Sequence, residues 1–195
     1  MGCDIHSFAE VRRDGKWQRV MDPYFKNYGE NLTTEPFGWR SYGTFAFLAG
    51  VRNYSVVTPL SEPKGMPDDS EWLNSPHQYA YENNPMNGEL IPYEERETNK
   101  QYVSEDLNYH SHSYLTLKEL IDFDYSQPFE DRRTNKTTIF PNGGSLTDGR
   151  HLAAEGEGEK TTYRKFLGEG FFQDIAQLQT MGAPEDVRIV FWFDN

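Results

Sequence analysis

The sequence predicts an α+β fold: a single domain, 1–195, with a mostly antiparallel sheet, two to three packed helices and a long irregular insertion. Three observations predict it. The chain opens on a strand-like alternation, "CDIHSFAEV", and closes on "VRIVFWFDN", an almost continuous apolar run of strand length. Helical periodicity appears only in short, well-separated stretches between them. At 195 residues the chain can bury one core of ordinary size.

The elements follow in order. From residue 4 to residue 11, Ile5, Ser7 and Ala9 face one way, while Asp4, His6, Phe8 and Glu10 face the other. Asp14-Gly15 supplies the positive-φ pair that turns a tight hairpin. Tyr42, Phe45, Leu48 and Ala49 then recur at helical spacing, and Gly50 ends the helix. Residues 53–107 are rich in Pro, Asn and Glu, with "DDSEWLNS" and "YVSEDL" as the only structured pieces. A structureless stretch of that length is unusual in a compact domain, so part of it is expected to fold over a site as a lid.

Thr116 and Glu119 form a capping box, which starts a helix at Leu117 and turns Leu120 and Ile121 inward. Residues 141–160, Gly-rich and polar, read as an exposed loop. Beyond Thr161, Tyr163, Phe166, Leu167, Phe171, Ile175 and Leu178 trace a helical face, divided by Gly168 and Gly170 and stopped at Gly182. The closing run reads as a strand buried on both faces. The two termini are therefore expected to pair at the centre of one sheet.

Composition narrows function by exclusion. Thirty-one acidic against 19 basic residues give a net charge of −12, which repels a phosphate backbone and argues against a long nucleic acid as partner. A small anion is still compatible, because a local Arg and His cluster can outweigh the global field. Aromatic residues make up 15% of the chain, enough for an aromatic core or an aromatic-lined pocket. The single cysteine, Cys3, fits a reducing compartment. No apolar run reaches membrane-spanning length, and no basic patch supports the lipid anchor that "MGC" suggests. A cytoplasmic location, without membrane attachment, is the expectation.

Three of the five histidines lie in two short segments. In an extended segment, His110 and His112 project from one strand face, and Asp4 and His6 have the same spacing on the first strand. Asp4, His6, His110 and His112 could thus offer three imidazoles and a carboxylate to one divalent metal ion, zinc or similar. Known metal signatures do not match: "HSHSYL" lacks the Asp and further His that metallo-β-lactamases need. It also lacks the repeated His-x-Ser or His-x-Thr of the two-histidine phosphoesterases. Without metal, His6, His110 and His112 could act as general acid and base on a phosphodiester. Arg40 with Tyr42, and Arg52 with Asn53, would hold the substrate anion from either end of the 43–50 helix. The alternatives are surface pairing for the arginines and polar strand faces for the histidines. Cys3 reads as a small buried hydrophobe, with a nucleophile beside His6 as the alternative; His77 and His151 read as surface residues, and Trp39, Tyr42, Phe45 and Phe47 as core, with one ring able to stack on a base.

"MGCDIH", "HSHSYLTLKEL" and "FWFDN", with "FAFLAGVRN" and "PLSEPKGMPDD", give the chain a further trait. In these segments it resembles a family of bacteriophage and bacterial, chiefly actinobacterial, proteins. The family brings no established activity, so no residue roles are carried over. The resemblance implies a phage origin and action in the cytoplasm of a bacterial host cell. By analogy of context it points to nucleotide messengers of host defence as targets.

The functional expectation is a hydrolase, phosphodiesterase-like, acting on a small phosphorylated or nucleotide substrate. The alternatives are a non-catalytic protein that sequesters a nucleotide messenger, with a homo-oligomer sharing the pocket, and an acidic protein-interaction module.

Overall fold

The computed structural model describes residues 2–27, 31–78 and 88–195, with 135–137 and 147–150 described by their backbone alone. Its centre is a four-stranded antiparallel sheet. Strand β1 (Ile5–Arg13) turns at Asp14 (φ 51°) and Gly15 (φ 77°) into β2 (Lys16–Arg19). The closing strand β10 (Val187–Asp194) lies on the other side of β1, from Ile5 opposite Phe193 to Val11 opposite Val187. Strand β5 (Tyr109–Thr116) completes the order β2-β1-β10-β5. The chain's two end strands are thus the two central ones. The physical reason is burial: residues 187–193 are all buried, which only a central strand covered on both faces allows.

Each face has its own cover. On one, Ile5, Ala9, Val11, Ile189, Phe191 and Phe193 pack against three helices, α1 (Tyr42–Ala49), α3 (Leu117–Asp122) and α4 (Tyr163–Gln179). Helix α1 starts at the Ser41 cap and ends at Gly50 in the left-handed region (φ 70°). It is buried from Thr44 to Ala49, because Phe45 meets Phe193 on the sheet side and Phe47 meets Phe171 of α4. Helix α3 begins at Leu117 with the full Thr116/Glu119 capping box in place. Helix α4 is interrupted at Gly168, whose φ of 75° breaks the helical path.

On the opposite face Phe8, Val190 and Trp192 pack with Leu73 and Val103. These last two belong to the 53–107 insertion. Its helix α2 (Asn99–Glu105) is capped by Thr98, and Asn99 Nδ2 ties it to the carbonyls of Trp72 and Ser75. The expected lid is therefore a structural cover: its apolar residues close the second face of the sheet, and α2 brings the α-helices among the described residues to four. On this face the Arg188 Nε donates to Glu10 at 2.7 Å, both side chains almost without solvent, and the guanidinium lies 4.1 Å from the Trp17 ring centre.

Two short strands, β3 (Phe25–Lys26) and β4 (Leu32–Thr33), pair in the loop before α1. The expected exposed loop at 141–160 is instead half β-structure. Strands β6 (Pro128–Asp131) and β7 (Arg133–Ile139) run against β9 (Glu159–Thr162) and β8 (Ser145–Leu152) as a bent two-stranded ribbon. Its described side chains from Thr138 to Leu146 are exposed on both faces, so no apolar alternation announced it.

Candidate functional site

The two ends of the chain meet at one corner of the sheet. Asp194 organises it: one carboxylate oxygen accepts the Asp4 N–H at 2.8 Å, and the other lies 3.1 Å from His6 Nε2. The His6 ring stacks on Trp192 at 5.6 Å and meets Tyr109 at 5.3 Å, leaving it about one-third exposed. Asp4 turns its carboxylate to Arg40, which donates from Nε at 2.6 Å and again from Nη2. That fork holds the Asp4 carboxyl below its usual range. Arg40, Asp4, Asp194 and His6 thus form one linked polar chain.

The other two histidines do not join it as the spacing suggested. Phe191 lies opposite Ser113 but Phe193 lies opposite His110, so β5 holds one extra residue there, and Ser111 takes φ 52°. A bulge of this kind reverses the alternation. His110 therefore stacks at 6.1 Å on Phe193, toward the helical layer, with Nδ1 3.0 Å from Ser111 Oγ and a buried Nε2 that has no partner among the described residues. His112 points to the other face and donates from Nε2 to the Val103 carbonyl at 3.1 Å. Burial lowers its pKa, against the opposing effect of that carbonyl, so the neutral ring is favoured. The expected shared face of His110 and His112 is thus overturned by the bulge. Strand β10 separates His6, opposite Trp192, from His110, opposite Phe193.

The residues expected to offer a metal site make other contacts in the structure. Asp4 is committed to Arg40, His6 to Asp194 and His112 to a carbonyl. Among the described residues no three His, Cys, Asp or Glu side chains are grouped to hold a metal ion.

The arginine pairs part company. Arg52 (φ 50°) donates to Asn195 at 2.9 Å and sits beside Cys3. Asn53 is a loop staple, bonding the Val57 carbonyl and N–H at 2.7 and 2.9 Å. Cys3 is fully buried, and that burial raises its thiol pKa despite Arg52. His77, expected to be a partnerless surface residue, is held by Asn99 at 2.9 Å and stacks on Tyr102 at 3.9 Å.

Arg40 and Tyr42, by contrast, line a cleft of about 510 Å³ together with Trp39, Ser41, Gly43, Arg133 and Phe166. The cleft opens over the first turn of α1, which carries no acidic residue. The first N–H groups of a helix lack intrahelical acceptors and favour negative charge. Gly43 shapes the floor: a Cβ there would stand 3.0 Å from Phe166 Cζ, tighter than an ordinary contact, so a larger residue would push that ring off the turn by a few tenths of an ångström. Gly170 of α4 lies beside Trp39, where a Cβ would make only an ordinary 3.7 Å contact with the ring. Trp39 belongs to the aromatic cluster read as core with one ring free to stack on a base, whereas Asp194, Arg133 and Phe166 fall outside the sequence expectation for this site. Asp194 stood beside the apolar run that marked β10, and Arg133 came from a ribbon with no legible period.

No family model matches the chain, and neither a curated protein nor a solved structure matches it. Among the described residues no helix is long and apolar enough to cross a membrane.

Proposed function

We infer that the protein binds a small nucleotide-like anion in the cleft at the start of α1. One observation carries this reading: two arginines and three aromatic rings line a single cleft over a helix N-terminus. Trp39, Tyr42 and Phe166 offer faces for a base, and stacking on such faces tolerates any base. Arg40 and Arg133 offer fork-shaped donors to phosphate oxygens, beside the backbone N–H groups of the first turn. Asp4 already neutralises part of Arg40, which favours a ligand of modest charge over a polyphosphate. The resemblance to phage proteins supports a bacterial host cell as the setting and a nucleotide messenger of host defence as the ligand. Sequestration is the reading the geometry supports best.

A hydrolytic reading has one observation in its favour. His6 is oriented by a carboxylate, as a general base is, and is joined through Asp194 and Asp4 to the arginine that lines the cleft. One experiment separates the two. The protein is incubated with a panel of mono-, di- and cyclic nucleotides, washed and denatured, and the released ligand is identified by mass. Intact release is expected; release of cleaved product, lost in His6→Ala, would favour the hydrolase. Retention of no nucleotide would contradict both.

A further inference from the structure

A second cavity, of about 410 Å³, lies between the β1–β2 hairpin and the end of α4. It shares no lining residue with the cleft at the start of α1. Its apolar lining comes from Val11, Val20, Met21, Tyr24 and Met181. Met21 is 67% exposed and Tyr24 42%. Scattered apolar exposure is ordinary, but here two such side chains line one cavity. Its size and largely apolar lining are those of a small-molecule site, in which a few polar groups set the ligand's orientation.

Two of the polar groups carry opposite charges. Arg13 and Asp22 both line the cavity, yet among the described residues neither is ion-paired, with the other or with any neighbour. Asp22 accepts only the Tyr24 hydroxyl, at 3.4 Å. Arg12 and Lys16 of the same hairpin, by contrast, are paired with Asp186 and Glu71. Arg19 also lines the cavity, but its guanidinium lies over the Phe8 and Trp72 rings on the insertion side of the sheet. The cation at the cavity is therefore that of Arg13.

A simple anion here would meet Asp22, and a simple cation would meet Arg13. A ligand that carries both charges beside an apolar group satisfies the whole lining. We propose that this cavity binds a free α-amino acid with an apolar side chain. The Arg13 fork takes the α-carboxylate, and Asp22 takes the ammonium group. The side chain lies against Tyr24 and the two methionines, whose flexible thioethers adapt to its shape.

The test is calorimetric titration of the full chain with L-leucine, L-methionine and L-phenylalanine, each beside its N-acetyl and its amide form. The N-acetyl form lacks the ammonium group, and the amide lacks the carboxylate. The wild type should bind at least one free amino acid, and prefer it about tenfold or more over either capped form. Arg13→Gln should erase the preference over the amide, and Asp22→Asn the preference over the N-acetyl form. Both side chains are exposed, so the melting curves should stay unchanged. Added nucleotide should leave the titration unaltered, because the two sites share no residue. Four results overturn the proposal: no free amino acid bound, capped forms bound as tightly, preferences that survive the substitutions, or displacement by nucleotide.

Discussion

The Asp174 carboxylate, in the middle of α4, accepts a 2.6 Å hydrogen bond from the backbone N–H of Phe37, and nearly all of its residue surface is buried. Phe37 takes a left-handed φ of 57° and stacks on Phe171 at 4.7 Å, while Ser7 of β1 donates to the neighbouring Pro36 carbonyl at 2.5 Å. The segment that carries Trp39 and Arg40 is thus pinned between the sheet and α4.

Burial raises the Asp174 pKa from 3.8 to about 7, with the Phe37 N–H opposing it. Between those values the unfolded chain loses this proton while the folded chain keeps it. Stability therefore falls as pH rises through that window, and the loss is complete above about pH 7. Asp174→Asn keeps an acceptor for Phe37 without the charge. It should match the wild type near pH 4 and exceed it at pH 8, by at most about 4 kcal/mol. Urea melts at the two pH values decide the point. A variant less stable than the wild type at pH 8 would contradict the assignment.

Capping at Thr116 is as the sequence indicated: its hydroxyl accepts the Glu119 N–H at 3.2 Å, and Glu119 returns a bond to the Thr116 N–H at 2.8 Å. Thr116→Ala should cost about 1 kcal/mol in a denaturant melt. An unchanged midpoint would count against the cap's contribution.

The Glu10–Arg188 pair offers a sharper test, because it lies in a dry layer under Trp17. Glu10→Ala takes the buried carboxylate from Ser70 Oγ, which donates to it, and from Arg188, which keeps only the exposed Asp69, and should cost about 3–5 kcal/mol. Replacing both partners by apolar residues, as Glu10→Leu/Arg188→Met, should cost less than the single change. A double variant weaker than the single one would mean that Asp69, 2.8 Å from Arg188, matters more than Glu10.

What the sequence revealed is what local chemistry dictates. The alternation of β1, the apolar β10, the Gly50 and Thr116 caps and the Gly168 break each rest on a few adjacent residues, and each stands where expected. The histidine site was misplaced by one residue's backbone angle: Ser111 at φ 52° puts His110 and His112 on opposite faces, and nothing in "YHSHSY" specifies a bulge. The 53–107 cover escaped for another reason. Leu73 and Val103 are single apolar residues amid polar ones, and they acquire meaning only against Phe8 and Trp192. Arg133 and Phe166 come together with Arg40 through tertiary packing alone.

The central claim is that the Arg40–Arg133–Trp39–Phe166 cleft binds a nucleotide, and calorimetric titration of the wild type and Arg133→Ala with the nucleotide retained in the panel tests it most directly. The wild type should bind with an affinity that falls as salt rises. Arg133→Ala should lose about tenfold or more, equivalent to about 1.4 kcal/mol, with its melting curve unchanged. His6→Ala should leave affinity intact, since His6 lies outside the cleft lining. Binding that Arg133→Ala leaves unaltered, or that His6→Ala abolishes, would contradict the account.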